Sequence, residues 1–258
     1  MILGKLKALL KHHGYKIFTR PYELNIVGLR ADSTTPNRFD DEIHVFYKAS
    51  PTKWNYHVFQ ATTDPGTFWL RNPMNPQGTG ILDKGQYVDA YQIGLHKGQY
   101  EALVQRKPVT VIRDYDRDAQ LDFNNGKKET GFFGIDIHRA AMQGSTQTVD
   151  KYSAGCQVFE NAEAFQQFLT LCKRHEQLYG NSFTYSLIDF RALRRETIRR
   201  WAIGLGTTGG VIAIGLLAFF GQEKIKSIAE EIGEAVNLLF NSQPIQTQNQ
   251  TTTETHEH

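Results

Sequence analysis

The sequence predicts a mainly β domain of the sandwich or barrel kind, with a few helices and a C-terminal transmembrane helix. Short runs rich in β-branched and aromatic residues recur from about residue 22 to residue 137, and clusters of Pro, Gly, Asn and Asp separate them. Repeated short strands of this kind are typical of sandwiches and barrels. A later run, residues 201–221, has neither charge nor proline over a length that spans the core of a bilayer.

The composition is that of a globular protein with a substantial core. Of the 258 residues, 40% are hydrophobic and 22% are charged, and the formal net charge is only +2. A protein that binds the nucleic-acid backbone needs a concentrated basic face, so this near-neutral balance argues against nucleic acid as a partner. The two cysteines, Cys156 and Cys172, have no metal-ligand spacing, and they are too few for a disulfide-stapled small domain.

Six segments carry the strand pattern within a domain that we place at residues 21–190. Each is bounded by turn-forming residues and is rich in Val, Ile, Phe and Tyr. These segments are 23–30, 42–48, 55–63, 87–94, 108–114 and 131–137.

Helices are predicted at both ends of this domain. Residues 1–20 place Ile2 and the four leucines, Leu3, Leu6, Leu9 and Leu10, on one helical face with lysines interleaved. That pattern favours an amphipathic helix packed on the domain, with binding to a membrane surface as the alternative. Residues 161–179 form a second predicted helix, in which Asn161 is the N-cap, Cys172 is a small buried apolar residue and Gly180 is the stop.

Beyond the domain the sequence predicts a membrane anchor. A basic segment, residues 191–200, precedes the hydrophobic run 201–221. A buried core helix is the alternative for this run, but its six glycines would destabilise a soluble helix, whereas small residues permit helix packing and self-association in a bilayer. Residues 222–240 carry an amphipathic stripe, and the polar residues 241–258 are typical of a disordered tail.

A cysteine and a histidine are the candidates for nucleophilic chemistry. Cys156 follows the small residues Ser153, Ala154 and Gly155, and His138 ends the run GFFGIDIH. A thiol becomes a strong nucleophile when a neighbouring base takes its proton. The backbone N–H groups around Ala154, Gly155 and Cys156 could stabilise an oxyanion, because no bulky side chain blocks their approach. Residue types alone are weak evidence, since the chain has nine histidines.

The spacing of these residues resembles that of the L,D-transpeptidases, the YkuD-like family. That family has a base histidine at a strand end, then a loop, a Ser/Thr-His-Gly-Cys turn and an Asn that opens a helix. Here 17 residues, Arg139 to Gly155, separate His138 in IDIHRA from Cys156 in the turn and helix SAGCQVFENAEAF. The resemblance implies that His138 is the base, that Cys156 is the nucleophile and that the carbonyl of Arg139 orients the base. Ser153, Gly155 and Asn161 match their positions in the turn and the helix cap.

The resemblance covers roughly residues 22–175, with departures. The upstream segment TTDPGTFWL (62–70) is similar to the family's Thr-Pro-x-Gly-x-Phe, with Asp64 inserted. The family's histidine within the turn is Ala154 here, and Val158 replaces an arginine that often follows the cysteine. The histidine is not usually the principal base, whereas the missing arginine puts in doubt a match in substrate recognition. A divergent member of the phage or effector type fits best.

The implied function is acyl transfer on peptidoglycan stem peptides. The thiolate of Cys156 would attack the carbonyl of a peptide bond next to a meso-diaminopimelate or lysine residue and form a thioester. Water as acceptor gives an L,D-carboxypeptidase or endopeptidase, and an amine gives a cross-link. No metal or organic cofactor is required. His44 and His57 are expected to be structural, as is His96, for which reach into a cleft is the alternative.

The predicted membrane orientation conflicts with this substrate. Five arginines precede the hydrophobic run and two lysines follow it closely, so residues 1–200 would lie in the cytoplasm, away from the cell wall or periplasm. Three hypotheses remain open: a phage lysis or entry enzyme, released on membrane breach or carried in the virion; an injected toxin; and a membrane-anchored, non-catalytic binding or structural module. The third is favoured if Cys156 is buried and far from His138.

Overall fold

The computed structural model describes residues 2–123 and 126–191 of the chain. These residues contain eleven strands and three helices, joined by loops. All of these residues belong to one compact unit, residues 1–195. The prediction of a mainly β fold with a few helices is confirmed. The helices are α1 (Ile2–His12), α2 (Thr67–Arg71) and α3 (Ala162–Tyr179). The strands are β1 (Asn25–Arg30), β2 (Asp41–Lys48), β3 (Trp54–Thr62), β4 (Thr79–Leu82), β5 (Gly85–His96), β6 (Tyr100–Gln105), β7 (Val109–Asp114), β8 (Lys128–Gly131), β9 (Ile137–Arg139), β10 (Gln157–Phe159) and β11 (Phe183–Asp189).

Eight of the strands close into a barrel. Their order is β1-β11-β5-β6-β9-β10-β3-β2, and β2 pairs back to β1. Most neighbours are antiparallel, but β1 with β11 and β9 with β10 are parallel. The other three strands form a separate sheet in the order β4-β7-β8. Closure pairs the edges of the barrel, and an eight-stranded barrel is just wide enough for side chains to fill its interior.

Helix α3 packs its apolar face on the barrel core beside β10. Phe165 and Phe168 lie against Phe159, with ring centroids 5.4 and 4.9 Å apart. Cys172 is fully buried in the same core as a free thiol. The helix begins where Asn161 Oδ1 accepts a hydrogen bond from the N–H of Ala164 at 2.7 Å. These contacts fix β10, the strand that follows Cys156.

The segment 131–137, predicted as one strand, is divided in the structure. Strand β8 ends at Gly131 and β9 begins at Ile137, and the residues between them are irregular. Gln105 supplies the reason, because its side-chain Oε1 accepts hydrogen bonds from the N–H groups of Phe133 (3.0 Å) and Ile135 (3.2 Å). A side chain thus satisfies backbone donors that a neighbouring strand would otherwise have paired.

Helix α1 ends at His12 and not at residue 20. Gly14, with a φ of +69°, takes the chain out of the helical conformation. The apolar face of α1 is buried on the domain, and Lys7 Nζ lies 4.6 Å from the centre of the Trp54 ring.

The predicted C-terminal elements lie outside the described residues. This applies to the basic segment 191–200 beyond Arg191, to the membrane run 201–221, and to residues 222–240 and 241–258. Of the helices that the structure does describe, none has both the length and the apolar composition to cross a membrane.

The absence of a side chain at Gly28 leaves room for the tip of Tyr185 inside the barrel. A Cβ at Gly28 would overlap the Tyr185 hydroxyl, which is buried and donates to Gln157 Oε1 at 2.9 Å. We therefore expect Gly28→Ala to lower the free energy of unfolding by about 1–3 kcal/mol in urea denaturation. Gly4→Ala, in α1 with nothing within 4 Å of the added carbon, should be neutral or slightly stabilising. Equal stabilities of the two variants would contradict this packing.

Candidate active site

The parallel pair β9–β10 brings the two candidate residues onto one face of the barrel wall. His138 lies opposite Val158 in this pair, and Cys156, directly before β10, packs with Val158 and Ala140 in a small cluster apart from the barrel core. Sheet spacing continued by one residue beyond β10 gives a Cα–Cα separation of roughly 8 Å for His138 and Cys156. Ile137 and Phe159, which alternate with them, face the barrel core. Residues that are distant in the chain therefore become neighbours on the outer face.

Ser153 holds the turn that carries Cys156. Its Oγ accepts from the N–H of Gly155 at 3.1 Å and donates to the carbonyl oxygen of Cys156 at 2.8 Å. Gly155 has a φ of +120°, and a Cβ there would overlap the carbonyl oxygen of Gly80, so the turn requires glycine. Because Gly155 N–H is directed at Ser153, the predicted oxyanion donors reduce to the N–H groups of Ala154 and Cys156.

The upstream segment 62–70 supports this turn directly. The N–H of Gly66 donates to the carbonyl oxygen of Ser153 at 2.9 Å, and Trp69 Nε1–H donates to that of Lys151 at 3.0 Å. A Cβ at Gly66 would overlap the backbone of Asp150. The two segments that carry the resemblance thus contact each other in the fold.

Asp64, the residue that interrupts the family-like pattern, belongs to a buried charge cluster. Arg30 is 1% exposed; its Nε lies 2.8 Å from Asp64 Oδ1 and its Nη1 lies 3.6 Å from Asp189 Oδ2. A buried guanidinium needs such partners, because an unpaired charge is costly away from water. Burial raises the pKa of Asp64, and the positive charge of Arg30 opposes this rise. The role of Asp64 is therefore to neutralise Arg30.

His138 is oriented by the backbone carbonyl of the next residue. Its Nδ1 lies 2.8 Å from the carbonyl oxygen of Arg139, the contact that the resemblance implies. An Nδ1–H that donates to this oxygen leaves Nε2 as the basic nitrogen. The Nε2 atom is buried and has no hydrogen-bond partner among the described residues. The imidazole thus presents an unoccupied lone pair.

Three further side chains surround His138, and sequence reasoning did not assign them to the site. Tyr100 Oη lies 3.2 Å from His138 Nδ1 and donates to the Arg139 carbonyl at 3.3 Å. The His96 ring stacks on the His138 ring with centroids 4.0 Å apart, and His96 Nδ1 lies 2.7 Å from Asp136 Oδ2. His96, expected to be structural, therefore lies against the candidate base.

A turn in the sequence could have located two of these side chains. Lys97 and Gly98 both have positive φ, and they reverse the chain between β5 and β6. The reversal pairs His96 with Tyr100 across the hairpin. Asp136 gives no such local signal.

Burial keeps both candidate residues neutral. Burial first, and the neighbouring His96 second, lower the pKa of His138 to about 3. Burial first, and the negative charge of Asp136 second, raise the pKa of Cys156 to about 12. Cys156 is 8% exposed, and its Sγ–H donates to the carbonyl oxygen of Gly134 at 3.3 Å. The described state is therefore a thiol beside a neutral imidazole, without a preformed thiolate.

A cleft of about 320 Å³ opens beside the turn. Ala154, Phe133 and Ile135 are among its lining residues, whereas Cys156 and His138 are not. Phe133 and Ile135 flank Gly134, whose carbonyl oxygen accepts a hydrogen bond from the Cys156 thiol. Within residues 2–123 and 126–191, no three His, Cys, Asp or Glu side chains are grouped so that they could hold a metal ion.

No protein-family model, curated protein or solved structure matches the chain. The resemblance to the L,D-transpeptidases therefore stays a prediction from the sequence. A function has to be inferred from the chemistry of the side chains around Cys156 and His138.

The buried, neutral state of His138 makes the stability of the fold depend on pH. The pKa of His138 falls from the ordinary 6.5 to about 3 on folding, so its contribution is complete above pH 6.5 and is lost as the pH falls toward 3. Between pH 6.5 and pH 3, each fall of one pH unit should lower the free energy of unfolding by about 1.4 kcal/mol through His138 alone.

The variant His138→Gln should show a correspondingly shallower loss of stability in urea denaturation between pH 7 and pH 4. His12→Gln, at an exposed position at the end of α1, is the control and should follow the parent protein. A His138→Gln profile parallel to the parent's would show that His138 is not a buried neutral group.

Proposed function

We propose that the domain is a YkuD-like cysteine acyltransferase that acts on the stem peptides of peptidoglycan. The observation that carries the proposal is the parallel pairing of β9, which contains His138, with β10, which follows Cys156 directly, together with the unpartnered Nε2 of His138. The Arg139 carbonyl supports it by fixing the tautomer in which Nε2 is basic. The substrate class rests on the resemblance over residues 22–175.

The first step is attack by the sulfur of Cys156 on a peptide carbonyl next to a meso-diaminopimelate or lysine residue. His138 Nε2 takes the thiol proton as the carbon–sulfur bond forms, because a thiol with so high a pKa does not ionise beforehand. Attraction between the resulting imidazolium and the developing oxyanion offsets part of the cost of separating charge in a buried site. The N–H groups of Ala154 and Cys156 donate to that oxyanion.

The second step divides hydrolysis from cross-linking. Collapse of the tetrahedral intermediate breaks the carbon–nitrogen bond, and His138 returns its proton to the leaving amine, so that a thioester remains on Cys156. Attack by water on the thioester releases a shortened peptide, and attack by an amine forms a cross-link. Both acceptors regenerate the thiol without a metal or organic cofactor.

The resting thiol has to change its contact before it reacts. Its Sγ–H is bound to Gly134 O in the described state, and His138 Nε2 has no partner there. Rotation about the Cα–Cβ bond of Cys156 would exchange one partner for the other. Because Gly134 lies between two residues of the cleft wall, substrate in the cleft is the natural trigger for this rotation.

The proposed location of the protein in the membrane and at the cell wall rests on the sequence alone. We propose that residues 201–221 are a single membrane-spanning helix and that the domain reaches the cell wall or periplasm in phage lysis or entry, or is carried in the virion. Self-association through the glycines of this run is part of the same proposal.

A non-catalytic, membrane-anchored binding or virion structural module is the second candidate. The observation that favours it is the burial of Cys156, whose thiol is bound to a backbone carbonyl and not to His138. A buried cysteine without an activated thiol is usually inert.

Incubation of the full chain with purified muropeptides, followed by mass spectrometry, tests the proposal. We expect loss or exchange of the terminal residue of the stem peptide with the wild type, and none with Cys156→Ala. His138→Gln should be at least about 100-fold slower, because it removes the general base. Cys172→Ala, at the other buried free thiol, is the matched control and should retain turnover.

Two outcomes would contradict the enzyme. One is the same products with Cys156→Ala, which would locate the chemistry elsewhere. The other is no change in any muropeptide while circular dichroism shows that the wild type is folded, which would favour the binding or structural module.

A further inference from the structure

Arg113 places a buried cation inside the cleft beside the Cys156 turn. The residue is 6% exposed and lines the cleft together with Gly80, Phe133 and Ala154. Its guanidinium carbon lies 4.9 Å from the centre of the Phe133 ring. A guanidinium held over an aromatic ring in a pocket is confined in position and direction.

The hydrogen bonds that Arg113 makes to described residues leave donors unused. Its Nε donates to Glu129 Oε2 at 2.9 Å, and its Nη1 donates to the carbonyl oxygen of Gly78 at 3.3 Å. A guanidinium has five N–H donors, so three remain after these two contacts. The free donors are on the Nη atoms, which form the fork that binds a carboxylate.

Among the described residues, the ion pairs of Arg113 and Lys127 set two positive charges against one carboxylate. Glu129 is the carboxylate that Arg113 contacts, and the other oxygen of Glu129 lies 3.8 Å from Lys127 Nζ. One carboxylate is thus shared by two cations. Asp114, the next residue, points to the opposite face of β7, where it accepts from the N–H of Asp122.

Gly80 approaches both Arg113 and the turn that carries the thiol. A Cβ at Gly80 would lie 3.4 Å from Arg113 Nη1, and the carbonyl oxygen of Gly80 lies against Gly155. Ala154, two residues before Cys156, lines the same cleft as Arg113. A substrate anchored at the guanidinium would therefore lie beside the turn that carries the thiol.

We propose that Arg113 makes this cleft the subsite that binds a carboxylate of the acyl-donor stem peptide, next to the bond that Cys156 attacks. This inference rests on the proposed function for its substrate. Two carboxylates of a tetrapeptide stem have the required chemistry: that of the C-terminal residue and that on the side chain of meso-diaminopimelate. Amidation of each in turn separates them.

The test measures binding apart from turnover. Full-length protein with Cys156→Ala is titrated by calorimetry with a tetrapeptide muropeptide and with the two singly amidated forms. We expect one amidation to weaken binding about 10- to 100-fold, the usual effect of losing a charge-assisted hydrogen bond in a buried site. In the double variant Cys156→Ala with Arg113→Gln, the preference for the free carboxylate should be lost, and the three peptides should bind with equal affinity.

Glu129→Gln distinguishes recognition from a structural role. If Arg113 only holds the β7–β8 sheet together, loss of either member of the ion pair has the same effect. If Arg113 recognises substrate, Glu129→Gln keeps the cation and the preference for the free carboxylate. Arg113→Lys keeps the positive charge but loses the two-pronged guanidinium, so it should retain a reduced preference for the free carboxylate. It replaces Arg113→Gln in the experiment if thermal unfolding shows that Arg113→Gln is unstable.

Three results would overturn the subsite: equal binding of the free and amidated peptides, a preference that survives Arg113→Gln, and no binding of any peptide. The proposed subsite and the proposed enzyme activity can be contradicted separately.

If the protein prefers the free carboxylate but the wild type turns over no peptide, the subsite is supported and the proposed chemistry is contradicted. If all three peptides are turned over with equal efficiency, the chemistry is supported and the subsite is contradicted.

Discussion

The parallel pairing of β9 with β10 is the interaction on which the candidate site depends. Parallel neighbours cannot be joined by a tight turn, so the chain leaves the barrel after Arg139 and returns at the start of β10. That excursion ends in the turn of Ser153 and Gly155, which the Gly66 N–H and the Gly80 backbone hold from two sides. Without this pairing, His138 and Cys156 would be separate residues on a barrel wall.

Burial gives the site its order and also sets its resting state. It removes water from His138 and Cys156, and the pKa of each moves toward the neutral form. The neutral pair fits a base that takes a proton only as the new bond forms, and it leaves the thiol bound to Gly134 until then. The His96–Asp136 pair adds a charged neighbour whose position is fixed by ring stacking. Reactivity would therefore depend on what enters the cleft, because Cys156 and His138 are both neutral at rest.

Local signals predicted the elements that depend on local sequence. The β-rich pattern, the helix after Cys156 and its capping by Asn161 could all be predicted from a few neighbouring residues. Strand β11 could not, because its partner β1 lies more than 150 residues earlier in the chain. The contact of Asp136 with His96 likewise joins separate segments of the chain, the cleft brings Arg113 together with three other segments, and the irregular segment before β9 depends on one side chain, Gln105. The spacing of His138 and Cys156 carried the site prediction, while their protonation states are properties of burial, which the sequence does not show.

The most direct test of the central claim is the mass of the intact protein caught during reaction. Full-length wild-type protein is mixed with a tetrapeptide muropeptide, and the reaction is quenched with acid at a series of early time points. The mass of the intact protein is then measured by mass spectrometry. We predict a transient species heavier by the acyl part of the peptide, which maps to Cys156, is lost on treatment with hydroxylamine and also forms with Cys172→Ala. An adduct on any other residue, or turnover that leaves the protein mass unchanged at every time point, would contradict a thioester on Cys156.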